Sequence, residues 1–134
     1  MIVLDTHTWI WWVDDHPKLP QSHRQTIAAS QTDGVGVSAI SCWEVAKLVE
    51  LGRLKLTISV KDWINQALQY PGVRLLPLTP EIAIESTQLP GEFQRDPADQ
   101  IIVATARIWG CPLVTSDARI LDYPHVTTQS AIQK

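Results

Sequence analysis

The feature that most constrains the fold of this chain is a set of three short apolar runs. None of them strictly alternates apolar and polar residues. Their sequences are MIVLD (1–5), GVGVSA (34–39) and CPLVTSD (111–117). A strand with one face in water alternates apolar and polar residues, whereas a strand covered on both faces is apolar throughout. The runs therefore predict strands buried inside a sheet that is covered on both faces.

Segments with helical signals separate these strands. THTWIWWV follows the first run directly, and the segment after the second run has apolar residues near helical spacing, among them Trp43 and Val49. VRLLPL (73–78) and HVTT (125–128) are two further strand candidates. Strands that alternate with helices predict an α/β fold with a mostly parallel sheet.

The composition fits one soluble globular domain over residues 1–134, since 45% of the residues are hydrophobic, 19% are charged, and there is no repeat or linker. No apolar run approaches the roughly 20 residues of a membrane span. Cys42 and Cys111 are isolated and lack metal-binding or redox spacing, which favours a reduced compartment. We therefore expect a cytoplasmic protein.

The formal net charge of −3 argues against a protein that binds nucleic acid through a broad basic surface. Two interpretations remain at this point. Either the chain has no nucleic-acid partner, or it concentrates acidic residues in a site whose charge metal cations neutralise.

Four acidic residues can meet at one edge of the predicted sheet. Asp5 and Asp117 each follow a strand, and the carboxyl ends of parallel strands form one edge, where sites are built. Glu44 lies early in the helix after the second strand, so its side chain can reach the same edge. Asp99 lies in the first turn of the helix that leads to the strand before Asp117.

These acids also have ordinary structural interpretations. Asp5 and Asp117 could cap the helices that follow them, and Glu44 could form a surface pair with Lys47 three residues later. In the stretch RDPADQ, Asp96 before a proline is typical of a helix N-cap. Asp99 would then occupy the third helical position, where an acid can bond back to the amide of the cap.

Clustered carboxylates repel one another and raise one another's pKa unless a cation compensates their charge. Mg²⁺ and Mn²⁺ prefer oxygen ligands, and no His-x-x-His or Glu-x-x-His spacing argues for zinc. One or two such ions in a carboxylate site suit phosphodiester hydrolysis, because one can activate water while the other stabilises the leaving oxygen.

Four stretches resemble, in order and spacing, the blocks of PIN-domain proteins, and in particular the toxins of VapBC-type toxin–antitoxin pairs. They are IVLDTHTWIWWV, VSAISCWEVAKLVELGRLKL, LPGEFQRDPADQIIVATA and LVTSDARI, and together they extend over nearly the whole chain. The resemblance implies a three-layer α/β/α sandwich with a central, mostly parallel five-stranded sheet. It also implies an endoribonuclease that depends on Mg²⁺ or Mn²⁺.

The resemblance further implies roles for individual residues. The acidic quartet that binds one or two metal ions and carries catalysis corresponds to Asp5, Glu44, Asp99 and Asp117. Secondary candidates are Asp96, an additional acid of the toxin branch, Thr115, which supports the site by hydrogen bonding, and Thr6. On this basis Asp99 is the metal-site acid, and Asp96 is the helix cap with a supporting role at the site.

Basic residues near these acids are candidates for contact with RNA phosphates: Lys47, Arg53, Arg95 and Arg119. Lys47 and Arg53 also fit an ordinary solvated helix end. The toxin branch often has His and Arg where this chain has Gln94 and Gln100. Neither difference falls on the quartet, so both bear on substrate positioning rather than on the chemistry.

Together with the resemblance, the residues predict the endoribonuclease toxin of a type II toxin–antitoxin pair, which hydrolyses RNA to 3′-hydroxyl and 5′-phosphate ends. The expected partners are RNA, a small antitoxin that inserts a basic residue among the carboxylates, and a second copy of the chain in a homodimer. Two alternatives remain open. One is a PIN fold that binds without catalysis, and the other is a phosphatase of the haloacid-dehalogenase type, suggested by the Asp that ends IVLD.

Overall fold

A computed structural model describes residues 1–129 of the chain. Residues 130–134, which the prediction of a single domain over 1–134 includes, lie outside the described part. Within residues 1–129 the elements follow one another as β1 (Ile2–Leu4), α1 (Thr6–Val13), α2 (Gln21–Ser30), β2 (Val35–Ser38), α3 (Ala39–Glu50), α4 (Val60–Ala67), β3 (Val73–Leu76), α5 (Pro80–Ser86), α6 (Pro97–Trp109), β4 (Leu113–Val114), α7 (Ala118–Leu121) and β5 (Thr128–Gln129). None of these helices has the length and apolar character needed to cross a bilayer.

The five strands form one parallel sheet in the order β3-β2-β1-β4-β5. β1 lies at the centre, with Leu4 opposite Val37 of β2 and opposite Val114 of β4. The predicted α/β fold with a parallel five-stranded sheet is therefore confirmed. The last strand covers residues 128–129 rather than the predicted 125–128, because its register against β4 sets its position and no apolar run marks its start.

Two apolar cores cover the two faces of the sheet, because successive residues of a strand point to opposite sides. Ile2 and Leu4 belong to the core that the sheet forms with α1, α2, α3 and α4. Val3, which lies between them, belongs to the core formed with α6 and α7. In the first core, Trp9 and Trp63 meet edge to face with their ring centroids 5.1 Å apart. The helix, sheet and helix layers are those of the predicted sandwich.

Helix α3 turns one of its apolar residues towards the surface. Val45 is fully buried, whereas Trp43, which the spacing placed with the apolar residues of this helix, is 57% exposed. Residues two positions apart point about 200° apart around a helix. Burying Val45 against the sheet therefore turns Trp43 towards the surface.

Candidate active site

A cleft of about 360 Å³ opens beyond the carboxyl ends of the central strands β1 and β4. The carboxylates that line it belong to Asp5, Glu44, Asp96, Asp99 and Asp117. The parallel topology thus brings together the four predicted acids of the quartet, which come from four separate parts of the chain. Asp96 joins them from the start of α6.

Asp5 lies at the centre of this edge, and both of its carboxylate oxygens are held. Oδ1 accepts a hydrogen bond from the backbone N–H of Thr8 at 2.9 Å and so caps α1. Oδ2 accepts from the hydroxyl of the buried Thr115, and that hydroxyl in turn accepts from the backbone N–H of Asp117 at 3.0 Å. One threonine therefore connects the acids that follow β1 and β4.

Glu44 reaches the cleft from α3 and is held by α1. Its Oε1 accepts a hydrogen bond from the hydroxyl of Thr6, and Thr6 Oγ1 lies 2.9 Å from Ser41 Oγ. Lys47 forms its ion pair with Glu50, at 2.5 Å. The interpretation of Glu44 as the partner of Lys47 in a surface pair is therefore wrong.

The start of α6 contributes two acids in different ways. Asp96 Oδ1 accepts from the backbone N–H of Asp99 at 3.0 Å, which confirms Asp96 as the N-cap. Asp99 does not bond back to the cap. Its Oδ2 instead accepts from Nε2 of Gln94 at 2.9 Å, a contact that the sequence analysis missed because it depends on how the loop before α6 folds.

Crowding of these carboxylates changes their protonation. Burial is the largest cause that raises the pKa of Asp99, and together with the negative charges of neighbouring acids it brings that pKa to about 7. These neighbours are Asp96, Glu44, Asp117 and Asp5. Burial also raises the pKa of Glu44. An acid that titrates near neutral pH because it is buried and has other acids around it marks a place where positive charge is favoured.

The donor set fits a hard divalent cation by its chemistry. Carboxylate oxygens are the ligands that Mg²⁺ and Mn²⁺ prefer, and a cation would offset the repulsion that helps to raise the pKa of Asp99. As the side chains stand, no three His, Cys, Asp or Glu residues between residues 1 and 129 are grouped so that they could hold a metal ion. The cleft thus supplies the right type of ligand without a closed coordination shell.

The basic residues predicted to contact RNA differ in whether they line this cleft. Arg119 lines it, with Nε 3.7 Å from Oδ1 of Asp117. Arg95 is exposed and directly precedes the cap of α6, and Arg53 is exposed beyond the end of α3. Lys47 is engaged in its ion pair on α3. Of these four, Arg119 is the one that lines the cleft.

Three further residues of α1 line the cleft and were not predicted to do so, namely His7, Thr8 and Trp11. His7 and Trp11 are four residues apart, and their ring centroids are 5.9 Å from each other. Their separation of four residues, about one helical turn, is the sequence signal that places them on one face of α1.

Comparison with known proteins identifies the family. Residues 2–126 match the PIN domain. Ribonuclease VapC22 of Mycobacterium tuberculosis (strain ATCC 25618 / H37Rv) is 37% identical over 124 residues, which cover 92% of this chain and 92% of that protein. The chain belongs to the PIN domain family. This membership excludes the haloacid-dehalogenase-type phosphatase as an interpretation.

Solved structures share the fold of this PIN domain. VapBC2 from Rickettsia felis, bound to a promoter DNA fragment, superposes with a TM-score of 0.73 at 15% identity, over 97% of this chain and 98% of that one. DNA-bound VapBC from Salmonella typhimurium gives 0.71 at 19% identity, over 98% and 100%. A toxin–antitoxin complex from Klebsiella pneumoniae gives 0.68 at 18% identity, over 100% of both chains. These similarities confirm the fold.

Proposed function

We propose that this PIN domain is an endoribonuclease that depends on Mg²⁺ or Mn²⁺ and acts as the toxin of a type II toxin–antitoxin pair. The observation that carries the proposal is the meeting of five carboxylates in one cleft at the edge of a parallel sheet. The relative named as a ribonuclease, at 37% identity over 92% of the chain, supports RNA as the substrate.

The residues that would hold one or two metal ions are Asp5, Glu44, Asp99 and Asp117. When bound, the cation supplies activation of water and stabilisation of the negative charge on the phosphate and the leaving oxygen. Asp96 caps α6 through Oδ1, and its further proposed role is to add negative charge beside the site.

The chain itself orients the ligands and attracts the substrate. The hydroxyls of Thr115 and Thr6 hold Asp5 and Glu44 before a cation binds, and such preorganisation lowers the cost of assembling a site. Arg119, with an exposed side chain at the cleft, is placed to attract a phosphate of the RNA.

The proposed reaction leaves a 3′-hydroxyl and a 5′-phosphate. The proposed partners are RNA, a small antitoxin whose basic side chain would enter the acidic cleft, and a second copy of this chain, and the proposed location is the cytoplasm. The structural neighbour that is a toxin–antitoxin complex supports the antitoxin, and the negative charge of the cleft supports a basic blocking residue.

The test is cleavage of a mixed pool of structured and unstructured RNAs by the purified protein in Mg²⁺, in Mn²⁺ and in EDTA. Asp5→Asn is compared with Asp33→Asn, a matched change at an exposed acid outside the cleft. Asn caps a helix as well as Asp does, so the Asp5→Asn protein should stay folded, which circular dichroism checks.

We expect cleavage in both metals by the original protein and by Asp33→Asn, none in EDTA, and a loss of at least about a hundredfold in Asp5→Asn. End-labelling should then detect 3′-hydroxyl fragments. Equal cleavage by Asp5→Asn would identify a contaminant and contradict the proposal. A folded protein that binds RNA or an antitoxin without cleaving any RNA would instead be a binding module.

A further inference from the structure

Among residues 1–129, Trp43 is the most exposed tryptophan, although its side chain is large and apolar. The residue is 57% exposed, while Trp9 is fully buried and Trp63 nearly so. It directly precedes Glu44 in α3, so this exposed ring lies beside the acidic cleft. Val45 packs in the core on one side of the sheet, whereas Trp43 is part of neither apolar core of residues 1–129.

The Trp43 ring borders an apolar groove of about 310 Å³. The residues that line the groove are Ile40, Trp43, Glu44, Asp96, Pro97 and Ala98. Glu44 and Asp96 line both this groove and the acidic cleft. The groove therefore adjoins the acidic cleft, where the proposed function places the phosphodiester, and a strand that leaves the cleft on this side meets Trp43.

We propose that Trp43 stacks on an unpaired nucleobase next to the phosphate that is cleaved, and so gives this enzyme a preference for single-stranded RNA. The proposal rests on the proposed ribonuclease function and names a part of its substrate specificity. Aromatic side chains stack on splayed bases in many RNA-binding proteins, and this contact tolerates different sequences because every base has a π-face.

Charge decides which part of the RNA fits the groove. The lining contains two carboxylates, Glu44 and Asp96, and neither Lys nor Arg. A phosphate backbone would be repelled there, whereas the uncharged face of a base can lie against the ring of Trp43 and the apolar surface of Ile40 and Pro97. Bases inside a duplex are already stacked and paired, so only an unpaired base is free to make this contact.

The first test compares steady-state cleavage by the original protein, Trp43→Ala, Trp43→Phe and Trp109→Ala. Trp109 is the matched control, since it is 48% exposed at the far end of α6, about 20 Å along the helix from the cap at Asp96. We expect Trp43→Ala to raise KM about tenfold, in the range of one lost base stack, with kcat changed less than twofold. Trp43→Phe should keep most of the affinity, and Trp109→Ala should behave as the original protein.

A second substrate separates stacking from a structural effect of the substitution. An RNA with an abasic nucleotide beside the cleavage site should bind about tenfold more weakly to the original protein, and Trp43→Ala should then cause no further loss. An equal loss with intact and abasic RNA would show that Trp43 supports the fold or the cleft, and would overturn the stacking proposal.

Binding measured without cleavage keeps this proposal distinct from the proposed function. Fluorescence anisotropy with a labelled unstructured 12-nucleotide RNA pool, in Mg²⁺, compares Asp5→Asn with the double variant Asp5→Asn, Trp43→Ala. We expect about tenfold weaker binding in the double variant. Equal binding of this RNA by the two proteins would overturn stacking while leaving metal-dependent cleavage intact. The same holds if Trp43→Ala weakens binding of a protein partner and leaves RNA binding unchanged. Absence of both RNA binding and cleavage would overturn both proposals.

Discussion

At the scale of single residues, one hydroxyl connects two carboxylates of the site. Thr115 is fully buried, donates to Asp5 and accepts from the backbone N–H of Asp117. The hydroxyl of Thr6 likewise donates a hydrogen bond to Glu44. Groups that orient metal ligands commonly matter nearly as much as the ligands themselves, so the arrangement predicts a measurable role for a residue that touches neither metal nor substrate.

Thr115→Val should therefore weaken Mn²⁺ binding and cleavage about 10- to 100-fold, because Asp5 loses the hydroxyl that fixes its Oδ2. Thr115→Ser, which keeps the hydroxyl, should stay within about threefold of the original protein on the same basis. Calorimetric titration with Mn²⁺ and the RNA cleavage rate measure the two effects. Metal affinity in Thr115→Val equal to that of the original protein would contradict this role.

The sequence allowed prediction of those site residues that follow local patterns. Asp5 and Asp117 follow strands, and Thr115 stands two positions before Asp117, so the α/β pattern and the family resemblance indicated their position. The contact of Gln94 with Asp99 was not predictable, since it depends on the conformation of an irregular loop. The catalytic and metal-binding roles of the quartet stay predictions.

At the scale of elements, a single residue at the N-terminus of α6, Asp96, has both a structural and an electrostatic function. Asp96 caps the helix, and its charge helps to raise the pKa values of Asp99 and Glu44. Substitutions can separate these functions, because Asn caps as well as Asp but carries no charge, whereas Ala does neither.

Asp96→Ala should lower the free energy of unfolding by about 1 kcal/mol through the lost cap, and Asp96→Asn should lower it by less than about 0.5 kcal/mol. If Asp96 acts only as a cap and a nearby charge, Asp96→Asn should keep cleavage within about tenfold, since no metal ligand is removed. Urea unfolding and cleavage assays on both variants measure this. A loss in Asp96→Asn as severe as that in Asp5→Asn would show that Asp96 is itself a ligand.

The elements could be predicted best where strands are buried on both faces and helices begin at clear caps. β1 and β2 are buried at every position, and their apolar runs indicated them directly. β5 has two half-buried residues, so no hydrophobic pattern marked its limits and the predicted strand was displaced. The exposure of Trp43 was not predicted, because helical spacing alone does not state which side of a helix meets the sheet.

At the scale of the whole molecule, the parallel topology brings together acids that repel one another, and this repulsion lowers the stability of the metal-free folded state. The pKa of Asp99 rises from 3.8 to about 7 through burial and through four neighbouring acids. The folded state thus binds a proton that the unfolded state has released between these pH values. Stability from this group is therefore lost as the pH rises through that interval and stays low above about pH 7.

Asp99→Asn removes the charge and should therefore stabilise the metal-free protein at pH 8. The gain should be on the order of 1 kcal/mol, because solvent screens a partly exposed carboxylate and reduces the effect well below the full shift. The gap between the two proteins should narrow as the pH falls to 5, where Asp99 is already protonated. Thermal unfolding in EDTA at several pH values measures the gap, and Asp33→Asn, at an exposed acid, should show none.

Addition of Mg²⁺ or Mn²⁺ at pH 8 should reverse this order. A ligand that binds the folded state stabilises it by about 2.7 kcal/mol at a hundred times its Kd, and the original protein keeps all four proposed ligands while Asp99→Asn lacks one. The melting temperature of the original protein should therefore rise with metal concentration and exceed that of the variant. A gap that is independent of both pH and metal would mean that the carboxylates neither repel one another nor share a cation, and the electrostatic account of the cleft would be wrong.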